Sequence, residues 1–140
     1  MFSRKSASFQ DFSNGDLRNF DFSSQNLEGA DFSGANLEGA SFVDSNLASA
    51  NFTSANLTAA TLSGAHIDRT VFFESNFNLL RSGGVTGNSI LPIGWYLRNG
   101  YLVGSNADLI RADLRNSDFS RIDLSGANLE SALLSNSVLI

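Results

Sequence analysis

Residues 27–42 read LEGADFSGANLEGASF, and a large apolar residue recurs every five positions, at Leu27, Phe32, Leu37 and Phe42. This spacing fits neither regular structure. Five residues advance an α-helix by about 500°, so the apolar positions would wander around it. In a β-strand, an odd period would place successive apolar residues on opposite faces. The pattern instead predicts a chain that turns a corner in every unit and buries one large residue per unit.

The five-residue unit extends over most of the sequence on either side of this stretch. Its large apolar centres run from Phe12 to Phe77 and, after an interruption, from Leu109 to Leu139. Most units carry Ala two residues before the centre and Asp or Asn one residue before it, where a short side chain can form an Asx turn. Such a chain predicts a solenoid whose stacked turns bury a continuous core. Because the first centres alternate Phe and Leu, an even number of units is expected in each turn.

The units ADFSG (30–34), ANLEG (35–39) and ADLRN (112–116) resemble the A(D/N)LXX motif of the pentapeptide-repeat family. The resemblance implies an all-β fold, a right-handed quadrilateral β-helix of about five coils with one unit on each face. When the sequence is folded onto this implied square, the predicted core sorts into columns by residue type. One column holds Phe12, Phe32, Phe52 and Phe72, and the next holds Leu17, Leu37 and Leu57.

The chain of 140 residues is expected to form a single domain with four segments. Residues 1–10 are predicted to form an N-terminal cap, and residues 11–78 the first block of repeats. Residues 79–106 break the register as an insertion, and residues 107–140 form the second block.

The insertion holds the only Pro and the only Trp of the chain, and both Tyr. Within it, WYLRNGYLV predicts a β-hairpin, because Asn99-Gly100 suits a type I′ turn between apolar residues. The LPxGWxLxNGYLxG pattern also resembles an insertion of cyanobacterial pentapeptide-repeat proteins. Two interpretations are open at this stage. Either the hairpin packs over a face of the solenoid, or it projects and binds a partner through Trp95, Tyr96 and Tyr101.

Composition argues against several classes of function. The net charge of −5 disfavours nucleic acid as a partner, and the absence of Cys excludes disulfides and thiolate metal sites. His66 is the only His, and the Gly-rich stretch SGGVTGNS (82–89) lacks the Lys-Ser/Thr ending of a phosphate-binding loop. We therefore expect no catalytic residue, no metal and no cofactor. An enzyme that uses His66 or the Gly-rich stretch is the least favoured alternative.

The location of the protein is predicted from its apolar segments. No stretch is long and apolar enough to span a membrane, and the start MFSRKSASF lacks the apolar run of a signal peptide. We expect no membrane contact and a cytoplasmic protein, although a leader that had been removed would leave no trace in this sequence.

These observations predict a protein-interaction or structural module whose protein partner the sequence does not identify. The resemblance adds an alternative, because family members linked to quinolone resistance imitate a DNA duplex and bind DNA gyrase. Asp11, Asp31 and Glu38 are the candidate acidic surface for such mimicry. On the implied square, however, each column loses its carboxylates after one or two turns, so we favour solubility as the role of the charge. The apolar end ESALLSNSVLI (130–140) predicts a homodimer through the C-terminal coil.

Overall fold

The structure is a computed structural model that describes residues 10–139, and it shows a four-sided solenoid of stacked coils. The residue before each centre forms a parallel bridge with the residue 20 positions later, as Asn26 does with Asn46. Because each unit has five residues, one coil takes four units, one on each side. The four columns predicted from the sequence are therefore the four sides of the solenoid. The predicted cap lies almost wholly outside the described residues.

Each corner is made by a residue in the left-handed conformation, two positions after the centre. The φ angle is 56° at Asn14 and 70° at Gly29. The N–H of the next residue donates to the carbonyl of the centre, as Ala30 does to Leu27 at 3.0 Å, which closes a turn of the kind that favours Gly or Asn at its third position. Between two corners, the residue before the centre forms the predicted Asx turn. The backbone N–H of Ser33 donates to Asp31 Oδ1 at 2.9 Å, which confirms the prediction.

The interior is a ladder of stacked side chains. In the first column, ring centroids are separated by 4.8 Å between Phe32 and Phe52 and by 5.0 Å between Phe52 and Phe72. This is the spacing of neighbouring β-strands, so one ring per coil fills the lumen without gaps. The small residue before each centre is also buried, as at Ala35. In the coil nearest the N-terminus, Phe12 and Leu17 are only partly buried. The remaining predicted core residues, Phe32, Phe52, Phe72, Leu37 and Leu57, are fully buried.

The coil that follows residue 79 is longer than the others. Arg81 still pairs with Thr61, and Thr86 with His66, so the first part of segment 79–106 keeps its place in the solenoid. Asp108 occupies the next place in the column of Arg81, but 27 residues later instead of 20. Segment 79–106 is thus built into an enlarged coil that joins the two blocks.

The extra residues form a β-hairpin. Strand β1 (Tyr96–Arg98) pairs antiparallel with strand β2 (Tyr101–Val103). Positive φ angles of 47° at Asn99 and 78° at Gly100 confirm the predicted type I′ turn. The hairpin packs against the solenoid, because Leu102 is fully buried and its N–H donates to Ser82 Oγ at 2.9 Å. In addition, the Val85 N–H donates to the carbonyl of Gly100 at 2.9 Å. Of the two interpretations of the insertion, the structure shows the packed one.

At several positions two residues before a centre, where most units have Ala, the chain has Ser or Thr. All but one of these buried hydroxyls donate a hydrogen bond to an acceptor. Thr70 Oγ1 donates to the Leu47 carbonyl at 2.7 Å, and Ser75 Oγ donates to that of Phe52 at 2.6 Å. Within residues 10–139, Ser117 Oγ is the one buried side-chain polar atom that has no hydrogen-bond partner. A buried hydroxyl without a partner costs free energy, because it has lost its hydrogen bonds to water.

We therefore expect Ser117→Ala to stabilise the protein by about 1 kcal/mol. The matched variant Ser75→Ala removes a hydrogen bond that is made, so it should destabilise the protein by about 1 kcal/mol. Denaturant unfolding followed by circular dichroism measures both changes. Destabilisation by Ser117→Ala equal to that by Ser75→Ala would show that the Ser117 hydroxyl does have a partner.

Candidate binding site

Trp95 lies at the junction of the two blocks. The backbone N–H of Trp95 donates to the Pro92 carbonyl at 3.1 Å and closes a tight turn. Its ring meets that of Phe77 edge to face, with 5.1 Å between the centroids. A Cβ atom at Gly104 would come within 2.6 Å of the indole, so the ring lies directly on that backbone and only Gly fits. Because Trp95 packs against both apolar clusters of the core, it joins the first block to the second.

The two tyrosines of the insertion differ in exposure. Tyr96 is 39% exposed, and the guanidinium carbon of Arg98 lies 5.4 Å from the centroid of its ring. Tyr101 is partly buried and packs on Gly83, where an added Cβ would lie 3.0 Å from its ring. Of the three residues predicted to bind a partner, Tyr96 therefore presents the most surface. That any of the three contacts a partner stays a prediction.

Two exposed apolar residues were missed by the sequence analysis. Ile90 is 57% exposed and Ile93 is 98% exposed. Ile93 lies at the tip of the turn formed by residues 92–95, whose third residue, Gly94, has a φ of 84°. The sequence did contain a signal for the exposure of Ile93. Gly94 predicts the third position of a turn, and the residue before that position lies at the exposed tip.

A cleft of about 400 Å³ opens beside β1. It lies between this strand and the segment 87–91 of the same enlarged coil. Arg98 is fixed at the cleft by two backbone carbonyls, since Nε donates to that of Asp118 at 3.1 Å and Nη1 to that of Leu97 at 3.0 Å. The residues that line the cleft are Gly87, Asn88, Ser89, Leu91, Trp95, Tyr96, Leu97 and Arg98.

The candidate acidic surface is divided between two sides of the solenoid. Asp11 pairs directly with Asp31 on one side, whereas Glu38 belongs to the next side. Beyond Asp31 the column continues with Asn51 and Val71, so its charge ends after two coils. This arrangement agrees with the columns deduced from the sequence.

In the second block, carboxylates occupy successive sides of one coil, and some of them are neutralised. Asp108 pairs with Arg81 and Asp113 with Arg115, each at 2.6 Å. The structure therefore does not line up a continuous acidic face along the described coils.

Hydrogen bonds at the Asx turns lower the pKa of several carboxyl groups. The hydroxyl of Ser13, followed by its backbone N–H, holds the pKa of Asp11 below its usual value. The pKa values of Asp21 and Asp118 are lowered in the same way by the serines two residues later. The hydrogen bond from Arg115 lowers the pKa of Asp113 to about 2.

These shifts predict a loss of stability in acid. A carboxyl group whose pKa is lower in the folded chain stabilises the fold above its unfolded pKa of about 3.9. That contribution is lost as the pH falls through the folded pKa. We expect the thermal midpoint, followed by circular dichroism, to fall between about pH 4 and pH 2, and to fall less steeply in Asp113→Asn. A thermal midpoint that stays constant between pH 4 and pH 2 would show that these carboxyl groups do not stabilise the fold.

The residues considered for enzymatic chemistry have structural roles here. His66 is exposed, and its Nδ1 lies 3.1 Å from Thr86 Oγ1 of the next coil. In the Gly-rich stretch, Ser82 accepts the hydrogen bond from Leu102 and Gly84 forms a corner. The described part of the chain holds no group of three or more His, Cys, Asp or Glu that could bind a metal ion. Across residues 10–139, no helix has the length and apolarity needed to cross a membrane.

A family model for pentapeptide repeats matches residues 11–42, 50–78 and 105–139, in eight copies. The protein belongs to the pentapeptide-repeat family. Its fold is the right-handed quadrilateral β-helix that the repeat predicted. The longest stretch outside the match lies between residues 78 and 105, in the enlarged coil of this pentapeptide-repeat protein, and a shorter one lies at residues 43–49.

Among solved structures, HetL of the cyanobacterium Nostoc, a protein involved in the regulation of heterocyst differentiation, is 21% identical with a TM-score of 0.26. The alignment covers 92% of this chain and 59% of HetL. A pentapeptide repeat protein of the Arabidopsis thaliana thylakoid lumen is 22% identical, with coverage of 76% and 66% and a TM-score of 0.29.

QnrB1, a plasmid-mediated fluoroquinolone resistance protein, is 19% identical with a TM-score of 0.30, and the alignment covers 93% of this chain and 62% of QnrB1. The chain thus spans about three fifths of the length of HetL and QnrB1. No curated protein sequence matches the chain significantly.

Proposed function

We propose that this pentapeptide-repeat protein is a non-enzymatic interaction module that binds a protein partner through the exposed apolar residues of its enlarged coil. The observation that carries this proposal is the exposure of Ile90, Ile93 and Tyr96 within one coil. Contiguous exposed apolar side chains mark interaction sites on soluble proteins. In the coils before it, the same column holds Asp11, Asp31 and Asn51, followed by Val71 in the adjacent coil.

The filled lumen also supports a role at the surface. Rings such as those of Phe32 and Phe42 meet at 5.5 Å across the lumen as well as stacking along it, so the interior of the first block leaves no space for a substrate. A chain built in this way offers its outer sides and corners to other molecules.

Affinity capture from cells of the source organism tests the proposal. The bait is the tagged protein, and the variant carries Ile90→Ser and Ile93→Ser together. We expect a partner captured by the original protein to be lost from this variant, with an unchanged circular dichroism spectrum. Ile110→Ser, which alters an exposed Ile of the second block, is the matched control and should retain the partner. Equal capture by the double variant would place the interaction elsewhere.

Gyrase inhibition by DNA mimicry stays an alternative prediction from the sequence. Because Asp11 and Asp31 are followed in their column by Asn51 and Val71, we expect no inhibition of gyrase supercoiling at tens of micromolar protein. Inhibition that disappears when Asp11, Asp31 and Glu38 are neutralised would establish the alternative instead.

Two further expectations remain proposals. Leu133, Val138 and Leu139 are exposed on the last described coil, which supports the homodimer through the C-terminal coil. Light scattering at high protein concentration measures the mass, and a strictly monomeric protein would rule the dimer out. The cytoplasmic location also stays a prediction.

A further inference from the structure

The outer edge of β1 presents an unpaired backbone donor. In an antiparallel hairpin closed by the pair Arg98 and Tyr101, the next pair, Leu97 and Leu102, directs its N–H and C=O groups outward. The bond from the Leu102 N–H to Ser82 Oγ, away from β1, shows this alternation. The Leu97 N–H therefore points to the opposite edge, away from β2, and Leu97 is one of the residues that line the cleft. Among residues 10–139, no acceptor is bonded to it.

The guanidinium of Arg98 is a second donor at the cleft. Together with the hydrogen bonds from Ser120, its charge helps to lower the pKa of the Asp118 carboxyl group. Its two bonds go to neutral carbonyl oxygens, those of Leu97 and Asp118. In the described part of the chain, no carboxylate forms an ion pair with it, whereas Arg81 and Arg115 each have one. A guanidinium has five N–H donors, so Arg98 has donors left for an anion while its position is fixed.

Leu91, Trp95 and Leu97 form the apolar part of the cleft lining, which also includes Gly87. Gly87 occupies the centre position of its unit, where the same column holds Leu27, Leu47 and Ile67 in the preceding coils. Gly87 has a φ of 100°, and a Cβ there would lie 2.5 Å from the backbone N of Asp68 in the preceding coil, so only Gly fits at this point of the cleft.

We propose that this cleft binds the C-terminal residue of a partner polypeptide that ends in an apolar amino acid. The terminal carboxylate accepts hydrogen bonds from the Leu97 N–H and the Arg98 guanidinium, and the apolar side chain packs on Leu91 and Trp95. The donors of Leu97 and Arg98 share one cleft with the apolar side chains of Leu91 and Trp95. This arrangement suits a ligand residue that carries both a carboxylate and an apolar side chain. A volume of about 400 Å³ has room for such a residue together with the peptide group that precedes it. The inference rests on the proposed function, because it specifies how a partner is anchored.

The only Trp of the chain lines the cleft, so its fluorescence reports binding directly. The probe is the peptide acetyl-Gly-Gly-Ser-Leu with a free carboxylate, and its control is the same peptide with a C-terminal amide. We expect a saturable fluorescence change with the acid and at least tenfold weaker binding of the amide. Equal affinity of the two peptides, or no change up to millimolar acid, would overturn the proposal. If N-acetyl-leucine bound as tightly as the peptide, the peptide chain would contribute nothing to affinity. The ligand would then be a small apolar acid and not the end of a polypeptide.

Variants separate the cleft from the rest of the surface. Arg98→Gln should weaken binding of the acid at least tenfold. Since this change also removes bonds that hold the hairpin, Ser89→Phe provides a second test. Ser89 makes no side-chain hydrogen bond in the described region, and a Phe there would obstruct the cleft. Arg111→Gln is the charge-matched control and should bind normally. Normal binding by Ser89→Phe would contradict the site.

The capture experiment distinguishes this inference from the proposed function. A partner that is lost from the Ile90 and Ile93 double variant but retained by Ser89→Phe would preserve the interaction module and refute the cleft. Peptide binding in the cleft without any effect of the double variant would instead refute the apolar surface as the recognition element.

Discussion

Phe52→Ala is expected to destabilise the protein by about 3–5 kcal/mol. The Phe52 ring is fully buried and stacks between Phe32 and Phe72, at 4.8 and 5.0 Å. It also meets the ring of Phe42 edge to face at 5.5 Å. Truncation removes all of these contacts and leaves a cavity that the solenoid cannot close, since the spacing of the coils is fixed by backbone hydrogen bonds on every side.

Denaturant unfolding measures this change, and Phe73→Ala is its control. Phe73 lies in the next coil, directly after Phe72, but it points outward and is 49% exposed, so its truncation should cost less than about 1 kcal/mol. The two variants make the same change, Phe to Ala, in neighbouring coils of the same block, and they differ in the burial of the ring. Equal losses for the two variants would show that the ladder of rings does not dominate the stability of the core.

The repeat made the regular coils predictable in detail. Each coil contacts its neighbours in the same way, so the five-residue period, together with the four units per turn that the family resemblance implied, was sufficient to place Phe32 over Phe52 and Asp31 beside Asn51. The Asx turn at Asp31 followed from local chemistry alone. No long-range information was needed, because a contact in one coil predicts the same contact in the next.

The enlarged coil could not be predicted to the same depth. The hairpin was visible in Asn99-Gly100, but its position depends on Ser82 and Gly87, which hold centre positions where other units place a large apolar residue. Leu102 of β2 supplies buried apolar volume in this coil, through contacts between residues that are distant in sequence. The donors of the cleft depend on this packing as well, because the position of the hairpin places Leu97 and Arg98 beside segment 87–91.

Trp95→Ala is expected to destabilise the protein by about 3 kcal/mol and to uncouple the two blocks. The ring is an edge-to-face neighbour of Phe77 in the first block, and it lies on Gly104 just before the second. Val103, Leu109 and Leu114 belong to an apolar cluster separate from that of the first block, and Trp95 packs against both. Without the indole, the second block loses an apolar contact that connects its core to the larger one.

Hydrogen exchange resolves this effect, because a block that opens on its own exchanges faster than the rest. In Trp95→Ala, the amides of residues 107–139 should lose protection before those of residues 31–72. Tyr96→Ala, which truncates the exposed neighbour on β1, should leave the exchange of both blocks unchanged. If Trp95→Ala instead kept the original stability and exchange but lost a captured partner, the indole would belong to the binding surface. The geometry predicts that Trp95→Ala lowers stability as well as binding, since the ring contacts Phe77 and Gly104 at the junction of the two blocks and also lines the cleft.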